Sequence, residues 1–277
     1  VSFVSGSERS EVIVGTAEPD DFGYLGGNDI YLGGDGDDRL TIHGLTSSAW
    51  DLKRNGDFFA LSANDFNREY PDALIIGSNI ETLDLGSKTF SFSSIDSDAS
   101  QYGNLIASVT DTRVVGTSSN DTILYSKSLS QIVAGQGLDA LILFDSKSSI
   151  SVTEISGLLR LQSKTDGAVL TQTIYASGVD TVDYIDGVFE NGNVAVSQNI
   201  ITGGVGSETL TGTTENDVFA GFGGNDSIFG GLGNDSVIFF ANYADATIVR
   251  NGSDVTVSFG AVESAEYAGT TTYLSNV

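Results

Sequence analysis

The sequence is short of the residues on which much protein chemistry depends. The 277-residue chain has no cysteine, no methionine, one histidine and two prolines. The absence of cysteine excludes disulfides, thiolate metal sites and a cysteine nucleophile. Positive charge is also scarce, with 12 Lys and Arg against 37 Asp and Glu and a formal net charge of −25. Such a chain repels phosphate backbones and anionic surfaces, so we expect it to bind cations and not nucleic acid.

Long apolar runs are missing as well. No stretch approaches the ~18 apolar residues of a membrane-spanning helix, so we expect no transmembrane segment. The chain begins at Val1 without a basic signal-peptide region, and we interpret it as an internal or processed piece of a longer polypeptide. Hydrophobic residues make up 40% of the sequence, which is enough for packed cores.

A nine-residue repeat organises much of the chain. Residues 33–41 read GGDGDDRLT and residues 230–238 read GGLGNDSVI, with glycine at positions 1, 2 or 4, Asp at position 6 and an apolar residue at position 8. The frame runs without gaps through three blocks, 6–41, 116–142 and 203–238. Position 6 is Ser130 in one repeat and acidic in the other ten, at Glu11, Asp20, Asp29, Asp38, Asp121, Asp139, Glu208, Asp217, Asp226 and Asp235.

These eleven nonapeptides resemble the RTX (repeats-in-toxin) calcium-binding proteins of Gram-negative bacteria. The resemblance covers roughly a third of the chain. It implies a parallel β-roll, Ca²⁺ as the bound cofactor, and loop carbonyls near positions 2 and 4 as further ligands. It also implies type I secretion of an unfolded chain that folds outside the cell.

The spacing supports a metal site independently. Glycine-rich loops can curl, and the apolar position 8 marks a short strand facing a core, so two nonapeptides make one coil turn of 18 residues. Calcium takes about six to eight oxygen ligands, which needs two stacked loops with acids 18 residues apart. We predict about five ions, held by Glu11 with Asp29, Asp20 with Asp38, Asp121 with Asp139, Glu208 with Asp226, and Asp217 with Asp235.

Strand-like segments with turn signals follow each block. Residues 50–63 and 247–260 alternate apolar residues around Asn55-Gly56 and Asn251-Gly252, which predicts type I′ hairpins, and Ser156-Gly157 is the expected turn in 151–163. The predicted fold is all-β, with three parallel β-roll coils each followed by antiparallel hairpin or sheet caps. The predicted modules are residues 1–106, 107–200 and an apparently truncated 201–277.

No motif indicates catalysis. The only histidine, His43, follows the first block and is better explained as a structural residue than as a general base. No GxSxG elbow is present, and the glycine-rich loops lack the lysine of a phosphate loop. We therefore expect no enzymatic activity in this chain.

The leading hypothesis is a secreted, calcium-binding structural protein at the surface of a Gram-negative bacterium, in a surface layer, adhesin or matrix. Self-association or cell-surface partners follow from this hypothesis. One alternative is the secretion and folding region of an exoenzyme, such as a protease, lipase or epimerase. Another is a glycan-binding module that uses exposed aromatic residues.

Overall fold

The computed structural model describes residues 2–44, 46–92, 103–191, 199–203, 206–220, 223–260 and 267–277. Within these ranges strands dominate, and the helical segments are single 3-10 turns at Ser47–Ala49, Lys147–Ser149 and Tyr243–Asp245. No helix in them is long and apolar enough to cross a membrane. The predicted all-β class is confirmed.

The chain forms two compact units, Val1–Val196 and Ser197–Val277. The first unit contains two coils with their hairpins, and the second contains the third coil. The predicted boundaries at 106 and 200 stay predictions. The strand at Asn104–Ile106 pairs with the second coil, and the strand at Asn199–Thr202 pairs with the third.

The first coil and its hairpins comprise ten strands in two five-stranded sheets, ordered β1-β3-β5-β9-β10 and β2-β4-β8-β7-β6. These strands are β1 Ser2–Ser5, β2 Val12–Val14, β3 Asp20–Tyr24, β4 Ile30–Leu32, β5 Arg39–Ile42, β6 Trp50–Asn55, β7 Phe58–Ala63, β8 Leu74–Ser78, β9 Thr82–Asp84 and β10 Thr89–Ser91.

The second coil has the same plan, in sheets ordered β11-β13-β15-β19-β20 and β12-β14-β18-β17-β16. Its strands are β11 Asn104–Ile106, β12 Arg113–Val115, β13 Asp121–Leu124, β14 Gln131–Val133, β15 Ala140–Ile142, β16 Ile150–Ile155, β17 Leu158–Ser163, β18 Ile174–Ser177, β19 Thr181–Tyr184 and β20 Gly187–Glu190.

The third coil has one five-stranded sheet, β22-β24-β28-β27-β26, and one sheet of three described strands, β21-β23-β25. Residues 204–205 and 221–222 of its repeat block lie outside the described residues. Its strands are β21 Asn199–Thr202, β22 Thr209–Thr211, β23 Asp217–Ala220, β24 Ser227–Phe229, β25 Ser236–Ile238, β26 Ala246–Asn251, β27 Asp254–Phe259 and β28 Thr271–Ser275.

Successive coil turns stack in parallel with the predicted offset of 18 residues. Val12 lies beside Ile30 in the first coil, and Thr209 lies beside Ser227 in the third. Because the side-chain period of a strand is two, this register points every position 8 into the coil interior. Eight such residues are fully buried or within 1% of it: Phe22, Tyr31, Leu40, Ile123, Ile132, Leu141, Phe219 and Ile228.

The hairpins are inserted into the coil rather than added after it. In the first coil, the hairpin β6–β7 leaves the coil after β5, and the chain then returns as β8, which pairs in parallel with β4 and antiparallel with β7. The next strand, β9, continues the other sheet in parallel with β5. The nonapeptide block therefore ends one turn before the coil does.

This last turn has a shortened loop. Residues 33–38 form a six-residue loop. The Gly33 N–H donates a hydrogen bond to the Ser78 carbonyl, which places Asn79 of the next turn over Gly33. Glu81 lies over Asp38, so the loop of the last turn has three residues. Asn79 takes φ +50°, and Gly178 takes φ +76° at the same point of the second coil.

Both Asn-Gly turns differ from the predicted ones, at Asn251-Gly252 as well as at Asn55-Gly56, whereas the turn predicted at Ser156-Gly157 is present. The strands on either side of Asn55-Gly56 pair so that Asn55 is the last strand residue and Gly56-Asp57 form the turn. Of Gly56 and Asp57 only Gly56 has positive φ, and of Gly252 and Ser253 only Gly252 does, which excludes the predicted type I′ geometry in both hairpins. Ser156 and Gly157 both have positive φ, the signs that a type I′ turn requires.

The first coil has a hydrophobic core of its own, and a second cluster joins the two coils of the first unit. Ile30, Phe58 and Leu74 of the first coil pack in the same cluster as the buried residues of the second. Polar contacts accompany this packing. Asn55 Nδ2 donates to the carbonyls of Leu143 and Asp183, each at 3.0 Å.

Candidate metal sites

The structure brings together all five predicted acidic pairs. In each pair, the main-chain N–H of the first residue donates a hydrogen bond to a carboxylate oxygen of the second. The distances are 3.0 Å for Glu11 and Asp29, 2.8 Å for Asp20 and Asp38, and 2.9 Å for Asp121 and Asp139, Glu208 and Asp226, and Asp217 and Asp235. The repeated bond shows that the loops stack in one way along all three coils.

Most of these carboxylates are buried. Seven are at most 1% exposed, namely Asp20, Asp29, Asp38, Asp121, Asp139, Asp217 and Asp226. The ion pairs of the described residues join Arg39 to Asp84 and Lys53 to Asp145, and neither includes any of the seven. Burying an ionised carboxylate without a positive partner costs several kcal/mol, and a bound cation can offset this cost. The buried carboxylates of the stacked pairs therefore require either cations or protons.

Several buried carboxylate oxygens also lack a hydrogen-bond donor among the described residues. They are Asp20 Oδ1, Asp38 Oδ2, Asp139 Oδ2, Asp226 Oδ2 and Glu81 Oε1. Buried polar atoms are nearly always hydrogen-bonded, so unpartnered oxygens in these rows indicate a ligand of another kind. Hard divalent cations bind carboxylate and carbonyl oxygens, and the residues present fit Ca²⁺.

Three of the stacked pairs join a loop with Thr at position 2 to a loop with Gly there. The main-chain N–H of this Thr donates to the Asp of its own loop, at 2.7 Å from Thr16 to Asp20 and 2.6 Å from Thr213 to Asp217. The Thr hydroxyl donates to the same carboxylate. Thr117 and Asp121 repeat the arrangement. These bonds fix the first carboxylate of each pair.

The glycines of the other loop allow the two loops to approach closely. A β-carbon placed on Gly34 would lie 2.3 Å from the carbonyl oxygen of Thr16, at position 2 of the loop below. One placed on Gly33 would lie 1.8 Å from the Asn79 carbonyl oxygen and 2.5 Å from Asp38 Oδ2. Carbonyl oxygens therefore crowd the same space as the carboxylates, in agreement with the mixed ligand set that the repeats imply.

Burial changes the acidity of the second carboxylate in several pairs. It raises the pKa of Asp29 to about 7 and the pKa of Asp38 and Asp139 to about 6. Burial also raises the pKa of Asp226. Protons therefore compete with cations for these oxygens near neutral pH.

The loops that contain Asp29, Asp226 and Ser130 differ in their hydrogen bonds. Asp29 Oδ2 accepts the Tyr31 hydroxyl at 3.1 Å, whereas Asp226 has Ile228 two residues later and keeps an unpartnered oxygen. In the second coil, Ser130 Oγ donates to the Thr112 carbonyl. There Gln172 Nε2 donates to the carbonyls of Lys127 and Leu129, at 2.7 and 2.9 Å.

Two further acidic residues stack on the paired acids, and the sequence analysis did not predict them. Glu81 accepts the Asp38 N–H at 2.5 Å, and Asp180 accepts the Asp139 N–H at 2.8 Å. The inserted hairpins hide both from the nonapeptide frame. A shared local motif marks them, because Glu81 begins ETLD and Asp180 begins DTVD.

Among the residues that the structure describes, no three side chains of Asp, Glu or His converge as a metal-binding group. Each pair supplies two carboxylates, and calcium takes about six to eight oxygens. The residues that would hold an ion therefore include main-chain carbonyls as well as the ten acids. The ligand role of each acid stays a prediction.

Comparison with known families decides what these loops are. The family model of the RTX calcium-binding nonapeptide repeat matches in four copies, over residues 25–41 and 202–237. The chain carries RTX calcium-binding repeats. The second block lies outside the matched residues, although its one acidic pair, Asp121 with Asp139, is stacked in the same way.

Other comparisons with the RTX chain are distant. No curated protein matches it. Among solved structures, it is similar to the extracellular lipase LipA from Serratia marcescens, at 15% identity and a TM-score of 0.20. That alignment covers 100% of this chain and 38% of the lipase chain, so the chain spans well under half of that protein.

Proposed function

We propose that this chain is a calcium-dependent structural protein outside the cell, which folds and becomes rigid when Ca²⁺ binds between its stacked loops. The observation that carries the proposal is the set of five acidic pairs in one repeated geometry. Seven of their carboxylates are almost fully buried and have no ion-pair partner among the described residues. The RTX family match supports calcium as the cation.

The physical basis is coupling between binding and folding. Without a cation, ionised carboxylates stacked in a low-dielectric interior repel one another, and glycine-rich loops have a high entropy to lose on folding. Five divalent ions would neutralise the ten paired carboxylates. Metal binding to a site that exists only in the folded chain contributes directly to folding free energy. We infer that the coils are disordered at the low calcium of a cytosol and folded at extracellular calcium.

We place the protein in a surface layer, adhesin or matrix of a Gram-negative bacterium, without catalytic activity of its own. Three coils with inserted hairpins occupy the chain, and their sheets account for the strands of the described residues. Coils of this kind would be stiff when calcium is bound and would offer a large surface for contacts with other molecules. Its partners are calcium and, as we propose, further copies of itself or other cell-surface molecules.

Circular dichroism with and without calcium tests the folding part of the proposal. We expect β signal in millimolar Ca²⁺, its loss in EGTA, and its return when calcium is restored. Mg²⁺ is the control ion, because it demands a small octahedral site and retains its water. Equal β content in calcium and in EGTA would refute coupled folding.

Electron microscopy of the calcium-loaded protein tests the structural role. Ordered lattices or filaments would support assembly, and a dispersed monomer at high concentration would argue against it. The exoenzyme alternative predicts instead that hydrolytic activity accompanies the full-length gene product and is absent from this chain. A glycan-binding module would be recognised by retention on a glycan array in calcium.

A further inference from the structure

A further stack of acids extends the first coil beyond its nonapeptides. Glu81 lies in none of the eleven repeats, yet it accepts the Asp38 N–H at 2.5 Å, as Asp38 accepts the Asp20 N–H at 2.8 Å. The Glu81 N–H in turn donates to the Asp38 carbonyl, and the Glu81 carbonyl accepts the Phe92 N–H. Glu81 is therefore held against Asp38 through its main chain as well as through its side chain.

A main-chain carbonyl lies at this stack just as it does at the predicted calcium pairs. In three of those pairs, a β-carbon on the first glycine of the loop would lie within 2.9 Å of two oxygens, the carbonyl oxygen of the next turn and Oδ2 of the Asp in its own loop; these glycines are Gly15, Gly116 and Gly212. A β-carbon on Gly33 would lie 1.8 Å from the Asn79 carbonyl oxygen and 2.5 Å from Asp38 Oδ2. The three-residue loop that ends at Glu81 therefore presents its carbonyl in the same place as a six-residue loop.

The side-chain oxygens at this stack have no donor. Asp38 Oδ2, Glu81 Oε1 and Asn79 Oδ1 are buried without a hydrogen-bond partner among the described residues. Asp38 is 1% exposed and Asn79 is 2% exposed. The two ion pairs of the described residues include none of the three. Buried oxygens without donors, two of them on carboxylates, indicate a ligand that carries positive charge.

The second coil has the same stack with fewer oxygens. Asp180 accepts the Asp139 N–H at 2.8 Å, as Glu81 accepts that of Asp38. The loop of this turn begins with Gly178 in place of Asn79, so it has no side-chain oxygen at that position. Within the described part of this stack, the buried carboxylate oxygen without a donor is Asp139 Oδ2 alone. The larger set of unpartnered oxygens is therefore particular to the first coil.

We propose that Asp38, Glu81 and Asn79 hold a further Ca²⁺ ion, between the last repeat of the first block and the segment that returns from the inserted hairpin. Glu81 supplies the charge and Asn79 supplies neutral oxygens, which is the mixed ligand set that calcium takes. The ion would fix this loop, and with it the following strand β9, onto the coil. Attachment of the hairpin's return segment therefore depends on calcium. The inference rests on the calcium-dependent folding proposed above.

Native mass spectrometry in Ca²⁺ tests the site by counting the ions bound to the full chain. Glu81→Gln is expected to bind one ion fewer than the parent chain, and Glu81→Asp, which keeps the charge, is expected to keep the ion. Glu18→Gln is the control, because Glu18 is exposed and lies outside the stacked pairs. Equal ion counts for the parent chain and Glu81→Gln would overturn the inference.

Hydrogen exchange in Ca²⁺ shows whether the ion fixes the return segment. We expect exchange at Thr82–Asp84 to be about tenfold or more faster in Glu81→Gln than in the parent chain, because the strand opens locally once its ion is lost. Exchange at Asp121–Leu124, in the second coil, is expected to stay the same. Unchanged exchange at Thr82–Asp84 would contradict the role of the ion in attaching this segment.

Asn79→Gly keeps the proposal testable if Glu81→Gln does not fold. Glycine adopts the φ of +50° found at this position, and Gly178 occupies the same point of the second coil. The variant keeps every charge and loses the amide oxygen, so we expect one ion to bind about tenfold more weakly while circular dichroism in millimolar Ca²⁺ is unchanged. Unchanged affinity for every ion, in a chain that folds with calcium, would overturn this inference alone. A parent chain that does not fold with calcium would instead contradict the proposed function.

Discussion

At the scale of single residues, position in the nonapeptide decides what an acid does. Asp37 and Asp38 are neighbours, yet Asp37 is exposed and Asp38 is 1% exposed with an unpartnered Oδ2. The strand that begins at Arg39 turns alternate side chains in and out, and the curled loop points position 6 toward the loop below. Asp38 and Asp37 therefore provide a matched comparison of a predicted metal ligand with a solvated charge.

Asp38→Asn is predicted to remove one bound calcium ion, because the amide loses the charge that the pair with Asp20 requires. At free calcium a hundredfold above Kd, losing a site costs about 2.7 kcal/mol of calcium-dependent stability. Titration calorimetry and chemical denaturation measure both effects. Asp37→Asn is the control and is expected to change neither the number of ions nor the stability in calcium. Equal effects of the two substitutions would contradict the assignment of Asp38.

The raised pKa values of the buried carboxyls predict a dependence of folding on pH in the absence of calcium. The pKa of Asp29 is about 7 in the fold and that of Asp38 and Asp139 about 6, against 3.8 for an ordinary Asp. A carboxyl whose pKa is higher in the folded state stabilises the fold below its unfolded value, and this stabilisation is lost as pH rises through 6 to 7. In calcium-depleted buffer, β content by circular dichroism is expected to rise from pH 8 to pH 5. A constant or falling β content would show that these carboxyls do not control folding.

The closest loop contacts predict where glycine is required. Gly33→Ala places a β-carbon 1.8 Å from the Asn79 carbonyl oxygen, which belongs to backbone and cannot move aside cheaply. We expect a loss of about 3 kcal/mol or more in unfolding free energy. Gly260→Ala is the control, because a β-carbon there meets no atom of the described part of the chain within 4 Å, and a change within about 0.5 kcal/mol is expected.

At the scale of elements, the inserted hairpins connect coils as well as complete sheets. Asn55 ends β6 and donates to two carbonyls of the second coil. Lys53 on the same strand pairs with Asp145, which is 1% exposed and also accepts the N–H groups of Val169 and Leu170. The hairpin strand β6 therefore fixes two coils of the first unit against each other.

Asn55→Ala tests this role of the hairpin. It removes the Asn55 amide donor from the carbonyls of Leu143 and Asp183, of which the Asp183 carbonyl keeps the Leu143 N–H, and is expected to lower the stability of the first unit by about 1 to 3 kcal/mol. Asn251→Ala is the matched control, since Asn251 also precedes the turn glycine of its hairpin and is exposed. Thermal unfolding in calcium measures both. A larger loss for Asn251→Ala would mean that the turn and not the inter-coil contact matters.

The coil strands, which repeat every 18 residues, could be predicted from the sequence. The contacts made by the hairpins that interrupt this repeat could not. The 18-residue spacing of Asp20 and Asp38 predicted their contact because the coil repeats by two nonapeptides. Glu81 follows Asp38 by 43 residues, and only the inserted hairpin and the three-residue loop bring the two together. The turn at Asn55-Gly56 was misjudged because pairing made Asn55 a strand residue. Its side chain then contacts another coil, which local sequence does not encode.

At the scale of the whole molecule, a large part of the negative charge lies in the stacked pairs that we propose to bind calcium during folding. Ten of the 37 acidic residues form the stacked pairs, so neutralising them changes the net charge of −25 substantially. The second coil lies outside the matched RTX residues and has one acidic pair. In its other loop, the Gln172 amide donates hydrogen bonds to the carbonyls of Lys127 and Leu129. The first and third blocks each have two pairs. The predicted calcium sites are thus concentrated in the first and third repeat blocks.

The number of calcium ions bound per chain tests the central claim most directly. Isothermal titration of the calcium-depleted protein with Ca²⁺ at pH 7.5, followed in parallel by circular dichroism, gives the number together with the folding that accompanies it. The stacked pairs predict about five ions, with β structure forming as they bind. Fewer than three ions, or five ions bound without any gain of structure, would contradict the claim that these pairs are calcium sites that fold the chain.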